Sequence, residues 1–134
     1  MKTYLRAWSE YNEKMGSVIM IDFEEGEALI ELELNDGSKA RHFDDLANIH
    51  LMQNTGIKDI HGNDIYEGDI LSVDEEYQYS NGGMEYEIVE WDELYTGFLP
   101  LSNDYVRPGE LIVIGNIYDN RDLIQGDVIN GRNE

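Results

Sequence analysis

The stretch Asn54–Leu71 (NTGIKDIHGNDIYEGDIL) holds the densest set of side chains in the sequence that could do chemistry. Asp59, His61, Asn63 and Asp64 offer oxygen and nitrogen donors at close spacing, and Glu67 and Asp69 follow. A calcium loop of the EF-hand type needs donors at alternate positions, a Gly at the sixth and a bidentate acid at the twelfth. Counted from Asp59, the sixth position is Asp64 and the twelfth is Ile70, so that pattern fails. Glu67 and Asp69 would be paired carboxylates for acid–base work, but no companion nucleophile or binding group accompanies them. A turn explains the same residues more simply. Asn63, Asp64 and the glycines supply positive φ and side-chain bonds to nearby N–H groups. The expected turn motif is therefore Gly56, Gly62, Gly68 and Asp69: Gly68 bends without a Cβ clash, and Asp69 accepts backbone N–H bonds as Ile70 starts a strand.

Other chemistries find less support. His42, His50 and His61 have no metal-ligand spacing; the first two lie eight apart, unlike the i, i+4 pair of a zinc helix. Gly82-Gly83 lacks the Lys-Ser/Thr of a phosphate loop. There is no cysteine, hence no disulfide, thiol nucleophile or thiolate metal site. No catalytic residue, metal site or cofactor is expected. Trp8, Trp91, Tyr95, Phe98 and Tyr105 read mainly as packing residues of a small β domain. If a binding face exists, Trp91, Asp92, Glu93 and Tyr95 make an acidic aromatic patch suited to a basic partner.

The elements that position these groups read as strands. Ala28–Leu34 (ALIELEL) sets Ile30, Leu32 and Leu34 against Glu31 and Glu33, the alternation of a half-buried strand. Strands are also expected at Tyr4–Trp8, Met15–Phe23 and Lys39–Phe43, with turns at Glu24-Glu25-Gly26 and Asn35-Asp36-Gly37. Asp44–Gln53 reads as a short helix or turn, N-capped by Asp44 or Asp45 with Leu46, Ile49 and Met52 inward, in preference to an extended passage. Further strands are expected at Asp69–Asp74, Glu85–Trp91, Gly97–Ser102 and Leu111–Tyr118, with turns at Gly82-Gly83 and Pro108-Gly109. Leu111–Ile114 (LIVI) reads as the most buried. The fold class is mainly β with little helix: one β-rich domain over residues 1–123, an N-terminal meander in 1–50, a barrel-like part in 51–123, and a polar tail over 124–134.

Composition narrows the partners. The 134 residues carry nine Lys plus Arg against 29 Asp plus Glu, a net charge of −20. That field repels phosphate backbones and anionic membranes and attracts basic proteins. Direct nucleic-acid binding is therefore not expected. No apolar run approaches the ~18 residues of a membrane helix, which points to a cytoplasmic protein.

Three blocks carry a resemblance. The first is Leu5-Arg6-Ala7-Trp8 with Lys14-Met15. The second runs Leu51-Met52-Gln53-Asn54-Thr55-Gly56-Ile57-Lys58-Asp59, then Gly62, then Ile65-Tyr66-Glu67-Gly68-Asp69-Ile70. The third is Val113-Ile114-Gly115-Asn116-Ile117-Tyr118-Asp119-Asn120. Together they resemble the YopX family of phage and prophage proteins from residue 5 to about residue 123. Leu5 stands where a Phe is usual, Ser9 where an Asp is usual, and Asn54 where an aromatic or hydroxyl residue is usual. The spacer Asp74–Met84 is longer than in many members. The resemblance implies a mainly β protein with an SH3-like or pseudo-barrel portion, encoded by a phage and working in its host's cytoplasm. It implies no catalytic site.

Three functions compete on these grounds. The leading expectation is a non-enzymatic accessory protein whose acidic surface engages an unknown, basic protein partner. A stricter form is an acidic decoy that mimics nucleic acid and inhibits a DNA- or RNA-binding host protein. The third is a carboxylate- or metal-dependent enzyme. Free strand edges add an expectation of homo-oligomers.

Overall fold

The computed structural model describes residues 4–72, 86–94, 96–99 and 111–123. Among these, regular structure is antiparallel β, interrupted by 3₁₀ turns at Leu46–Asn48 and Arg121–Leu123. The protein is mainly β, and the described strands close into no barrel. The chain divides into two compact units, Met1–Asn54 and Thr55–Glu134.

The first unit is a meander of long strands: β1 (Leu5–Ser9), β2 (Lys14–Asp22), β3 (Glu27–Glu33), β4 (Lys39–Asp45) and the opening of β5 (Ile49–Lys58). They pair in the order β4-β3-β2-β1-β5. Successive side chains of a strand point to opposite faces, so the sequence alternation becomes a buried face and an open one. Ala28, Ile30 and Leu32 of β3 are buried with Ala7 and Ile49, and Val18, Ile21 and Leu46 pack against them. Burying one such aliphatic side chain stabilises by roughly 1.5–3 kcal/mol. Leu34 lies beyond the end of β3 and is exposed. Ser38 closes the β3–β4 turn by donating its hydroxyl and its amide to Asp36, which holds that carboxyl below its ordinary range.

The helix or turn expected over Asp44–Gln53 is corrected for most of its length. β4 runs on to Asp45, only Leu46–Asn48 is helical, and β5 begins at Ile49. Asp45 caps the 3₁₀ turn by accepting from the Ala47 amide at 3.1 Å. Ile49 and Met52 are both buried, but they lie three apart in a strand and therefore on opposite faces. A spacing of three mimics a helical stripe whenever a strand is buried on both sides.

The second unit uses shorter strands: β6 (Asp64–Tyr66), β7 (Asp69–Ser72), β8 (Glu87–Ile88), β9 (Glu90–Asp92), β10 (Gly97–Leu99) and β11 (Ile112–Asn116). The later part of β5 pairs with β6, β7 lies between β11 and β8, and β9 pairs with β10. Ile65, Leu71, Val89 and Leu111 form its core, with Ile57, Phe98 and Val113 packed against them. The most buried strand is β7, all four residues of which are buried, rather than the LIVI strand. β7 has a neighbour on each edge whereas β11 has one, and a central strand is covered first. The single strand expected over Glu85–Trp91 is two, broken at Val89. Val89 is buried and trades backbone bonds with the corner before β7: Gly68 N–H donates to its carbonyl and its own N–H donates to the Asp69 carbonyl, at 2.8 and 2.9 Å. The turns expected at Gly82-Gly83 and Pro108-Gly109, Tyr95, Tyr105, the ends of the strands expected to reach Asp74 and Ser102, and the tail 124–134 lie outside the described residues.

Candidate functional site

Asp59 is the centre of the segment Asn54–Leu71. It is 6% exposed at the end of the β5–β6 hairpin, and its carboxylate accepts four hydrogen bonds. The amides of His61 and Asn63 donate at 2.9 Å each, the Asn63 side-chain amide at 3.2 Å, and the Val113 amide of β11 at 3.1 Å. Burial pushes the Asp59 carboxyl up, but the donors from Val113, Asn63 and His61 outweigh it and hold it below its ordinary value. A carboxylate surrounded by N–H groups is oriented as a clamp between a turn and a strand, not as a cation ligand. No group of three His, Asp or Glu side chains among the described residues converges as a metal site.

The other residues of the expected turn motif are dispersed along the same segment. Gly62 lies in the turn after Asp59, its N–H donating to the Asp59 carbonyl at 3.1 Å. Gly56 lies inside β5 rather than between two strands. Gly68, at φ +88°, makes the corner between β6 and β7, a conformation that favours glycine. Asp69 is 2% exposed and accepts from the Tyr66 amide at 2.8 Å, closing that corner. Lys58 and Asp64 pair across the hairpin at 2.8 Å.

The Asn116–Asn120 turn after β11 is built in the same way. Asn116 accepts from the amides of Tyr118 and Asp119 at 2.9 Å, and Asn120 accepts from the Asn116 amide at 3.1 Å. A Cβ on Gly115 would stand 2.5 Å from the Asn120 side-chain oxygen, so that seat exists only because residue 115 is glycine.

A further polar cluster, with no sequence signature, lies in the first unit. Ser9, fully buried at the end of β1, donates its hydroxyl to Asp44 of β4 at 2.8 Å. His42 approaches the same carboxylate oxygen at 3.1 Å, and Asn12 bridges Ser9 and His42 at 3.0 Å each. The residue types are those of a serine nucleophile and its relay, but the order is wrong. In such a relay the imidazole stands between hydroxyl and carboxylate; here the carboxylate stands between hydroxyl and imidazole. Ser9 Oγ is also inaccessible, so the cluster ties β1 to β4 instead of activating a nucleophile. Ser9, His42 and Asp44 are 33 and two residues apart in the chain, and only strand pairing brings them together.

The aromatic patch sits on the β9–β10 hairpin. Trp91 is 47% exposed and meets its cross-strand partner Phe98 edge-on, ring centres 5.2 Å apart. Glu90, Glu93 and Leu94 beside it are exposed, and Asp92 accepts from the Leu94 amide at 2.9 Å. Tyr95 lies outside the described residues, and Trp8 is a buried residue of the first unit. Sequence reasoning missed one surface: a groove of about 860 Å³ on the first unit, with Tyr4, Ile19 and Met20 on its apolar side and Glu31, Lys39 and Arg41 on its charged side.

The chain belongs to the YopX family: it matches the family described as YopX protein over residues 4–125. The second and third blocks that carry the sequence resemblance coincide with the Asp59 clamp, the Gly68 corner and the Asn116–Asn120 turn. The structure is similar to the crystal structure of protein EF1440 from Enterococcus faecalis, at 25% identity and a TM-score of 0.60, over 91% of this chain and 97% of that one. No curated protein matches the chain. Among the described residues no helix is long and apolar enough to cross a membrane.

Proposed function

We propose that the protein is a non-enzymatic interaction module, an accessory protein of phage or prophage origin, that engages a basic protein partner in the cytoplasm. The observation that carries this reading is the β9–β10 hairpin: a half-exposed Trp91 in edge-on contact with Phe98, with Glu90 and Asp92 as its neighbours in the strand and Glu93 in the turn that follows. An exposed aromatic anchor on a hairpin rich in acids offers a cationic partner both an apolar contact and charge of the opposite sign. The net charge of −20 adds long-range attraction to such a partner. By contrast, the segment richest in potential ligands holds its carboxylates as clamps, with N–H donors at Asp59 and Asp69. The decoy reading finds less support on the open face of the first unit. There Glu31 faces Arg41 and Glu33 faces Lys39, which interrupts any stripe of phosphate-like charge.

The test is affinity capture from cells followed by mass spectrometry, run in parallel with wild type, Trp91→Ala and Glu90→Lys/Glu93→Lys. The expected result is a basic protein retained by wild type and lost from both variants. Retention that ignores both variants, or turnover of a substrate by the purified protein, overturns the reading.

A further inference from the structure

The outer strand of the first unit, β4, is self-complementary. It is the terminal strand of the order β4-β3-β2-β1-β5, so among the described residues one row of its backbone N–H and C=O groups has no strand beside it. Its residues alternate between exposed and half-buried, and Lys39, Arg41, Phe43 and Asp45 share the exposed face. Along that face the charge reverses, from cations at one end to an acid at the other, with a half-exposed Phe43 between them. An edge lined with one sign of charge would repel a second copy, and charge is one of the devices that guard edges against pairing. A strand whose sign reverses about an apolar centre matches its own antiparallel image.

We propose that two copies of this chain pair antiparallel through β4, with Phe43 on the two-fold axis. This register sets Phe43 against the partner's Phe43, and Arg41 against the partner's Asp45 on either side. Asp45 faces Glu27 across the β3–β4 ladder, like charge against like. The partner's Arg41 would supply the cation that this position lacks. Arg41 already holds Glu31 at 3.2 Å, so its guanidinium is fixed on the correct face and would bridge two carboxylates. The ladder adds one aromatic pair at its centre, and Leu29, which faces Phe43 in the same chain, extends the apolar centre on both sides. Neighbouring registers are worse: centred on Arg41 they oppose two arginines, and centred on Asp44 they oppose two aspartates. Centred on His42, the aromatic rings no longer meet. The seam is independent of the β9–β10 patch.

Sedimentation velocity across a dilution series tests this with the full chain, with folding of each variant checked by far-UV circular dichroism. Wild type is expected to dimerise reversibly. Arg41→Glu and Asp45→Arg each place two like-charge pairs at the seam and should weaken the dimer about a hundredfold. Mixing the two variants in equal amounts should restore it, because each seam then carries two opposite-charge pairs. Lys39→Glu, outside the paired residues, should leave the dimer unchanged. A wild type monomeric at every concentration overturns the proposal, as does a dimer indifferent to both reversals or a mixture that stays monomeric. If either variant fails to fold, amide exchange of wild type decides: protection of 41–45 that rises with concentration supports the seam, and protection that does not change overturns it.

Discussion

The first unit holds its strands by alternation, and the second holds its strands by side chains that reach the backbone. In Met1–Asn54 the strands are five to nine residues over β1–β4, and apolar residues at every second position decide which face is buried. In Thr55–Glu134 most strands are two to five residues, too short for alternation to fix a register. There Asp59, Asp69, Asn116 and Asn120 fix it, each accepting from backbone amides. Removing a methylene should therefore be felt most in the first unit, and removing an oxygen most in the second. Trp8 lies in one unit and Trp91 in the other, so single-tryptophan versions report on each unit by fluorescence.

The largest effect is expected from Ile30→Ala. Ile30 is fully buried among Ala7, Ala28 and Leu32, and its truncation should cost about 3 kcal/mol in the transition followed at Trp8. Glu33→Ala, one strand position beyond Leu32 and on the open face, should stay within about 0.5 kcal/mol. Equal sensitivity at the two positions would break the claim that alternation holds this unit.

Asp59→Ala comes next. It leaves the amides of His61, Asn63 and Val113 without their acceptor and should cost about 2 kcal/mol in urea denaturation followed at Trp91. Asp59→Asn keeps an acceptor oxygen and should cost about half as much. The pH dependence has a definite sign. Asp59 has a lower pKa folded than unfolded, so its contribution is present above the unfolded carboxyl value of 3.8 and is lost as pH falls through the lower folded value. Wild type should therefore lose stability in the second unit below about pH 4 more steeply than Asp59→Asn. Parallel acid profiles would remove Asp59 from its place as the clamp.

These contrasts also explain what was legible in the sequence. The strand of Ala28–Leu34 was readable because one buried face and one charged face leave a period of two. The β5 strand was not, because burial of Ile49 and Met52 on opposite faces copies a helical spacing. β6 was hidden in a segment read as turn, since Asp64-Ile65-Tyr66 is too short to show a period. Asp59 illustrates a deeper limit. Closely spaced Asp, Asn and Gly residues occur in cation loops and in hydrogen-bonded turns alike, and here the spacing favoured the turn without showing what the carboxylate holds. What separates them is whether N–H groups point at the carboxylate, and that depends partly on Val113, 54 residues away.

Gly68→Val should cost about 1–2 kcal/mol, because a β-branched residue at φ +88° is strained whatever space surrounds it. Gly68→Asn, which tolerates that conformation, should recover most of the loss. A Gly68→Val protein of full stability would contradict the corner.

The smallest effect sharpens the comparison most, because it places an oxygen in the unit ruled by alternation. Ser9 is fully buried, and its hydroxyl accepts from Asn12 and donates to Asp44. Ser9→Ala removes one donor and one acceptor, and the remaining partners are only partly buried, with the Asp44 side chain 11% and the His42 side chain 33% exposed. Water can therefore replace part of what is lost, and the expected cost is about 1 kcal/mol at Trp8, the residue next to it in β1. Asn12→Ala, which removes the second bridge to Ser9, should cost no more than that when combined with Ser9→Ala, since both act on one cluster. A loss as large as that of Asp59→Ala would mean that the first unit also depends on a polar clamp, and the distinction between the two units would then be one of strand length alone.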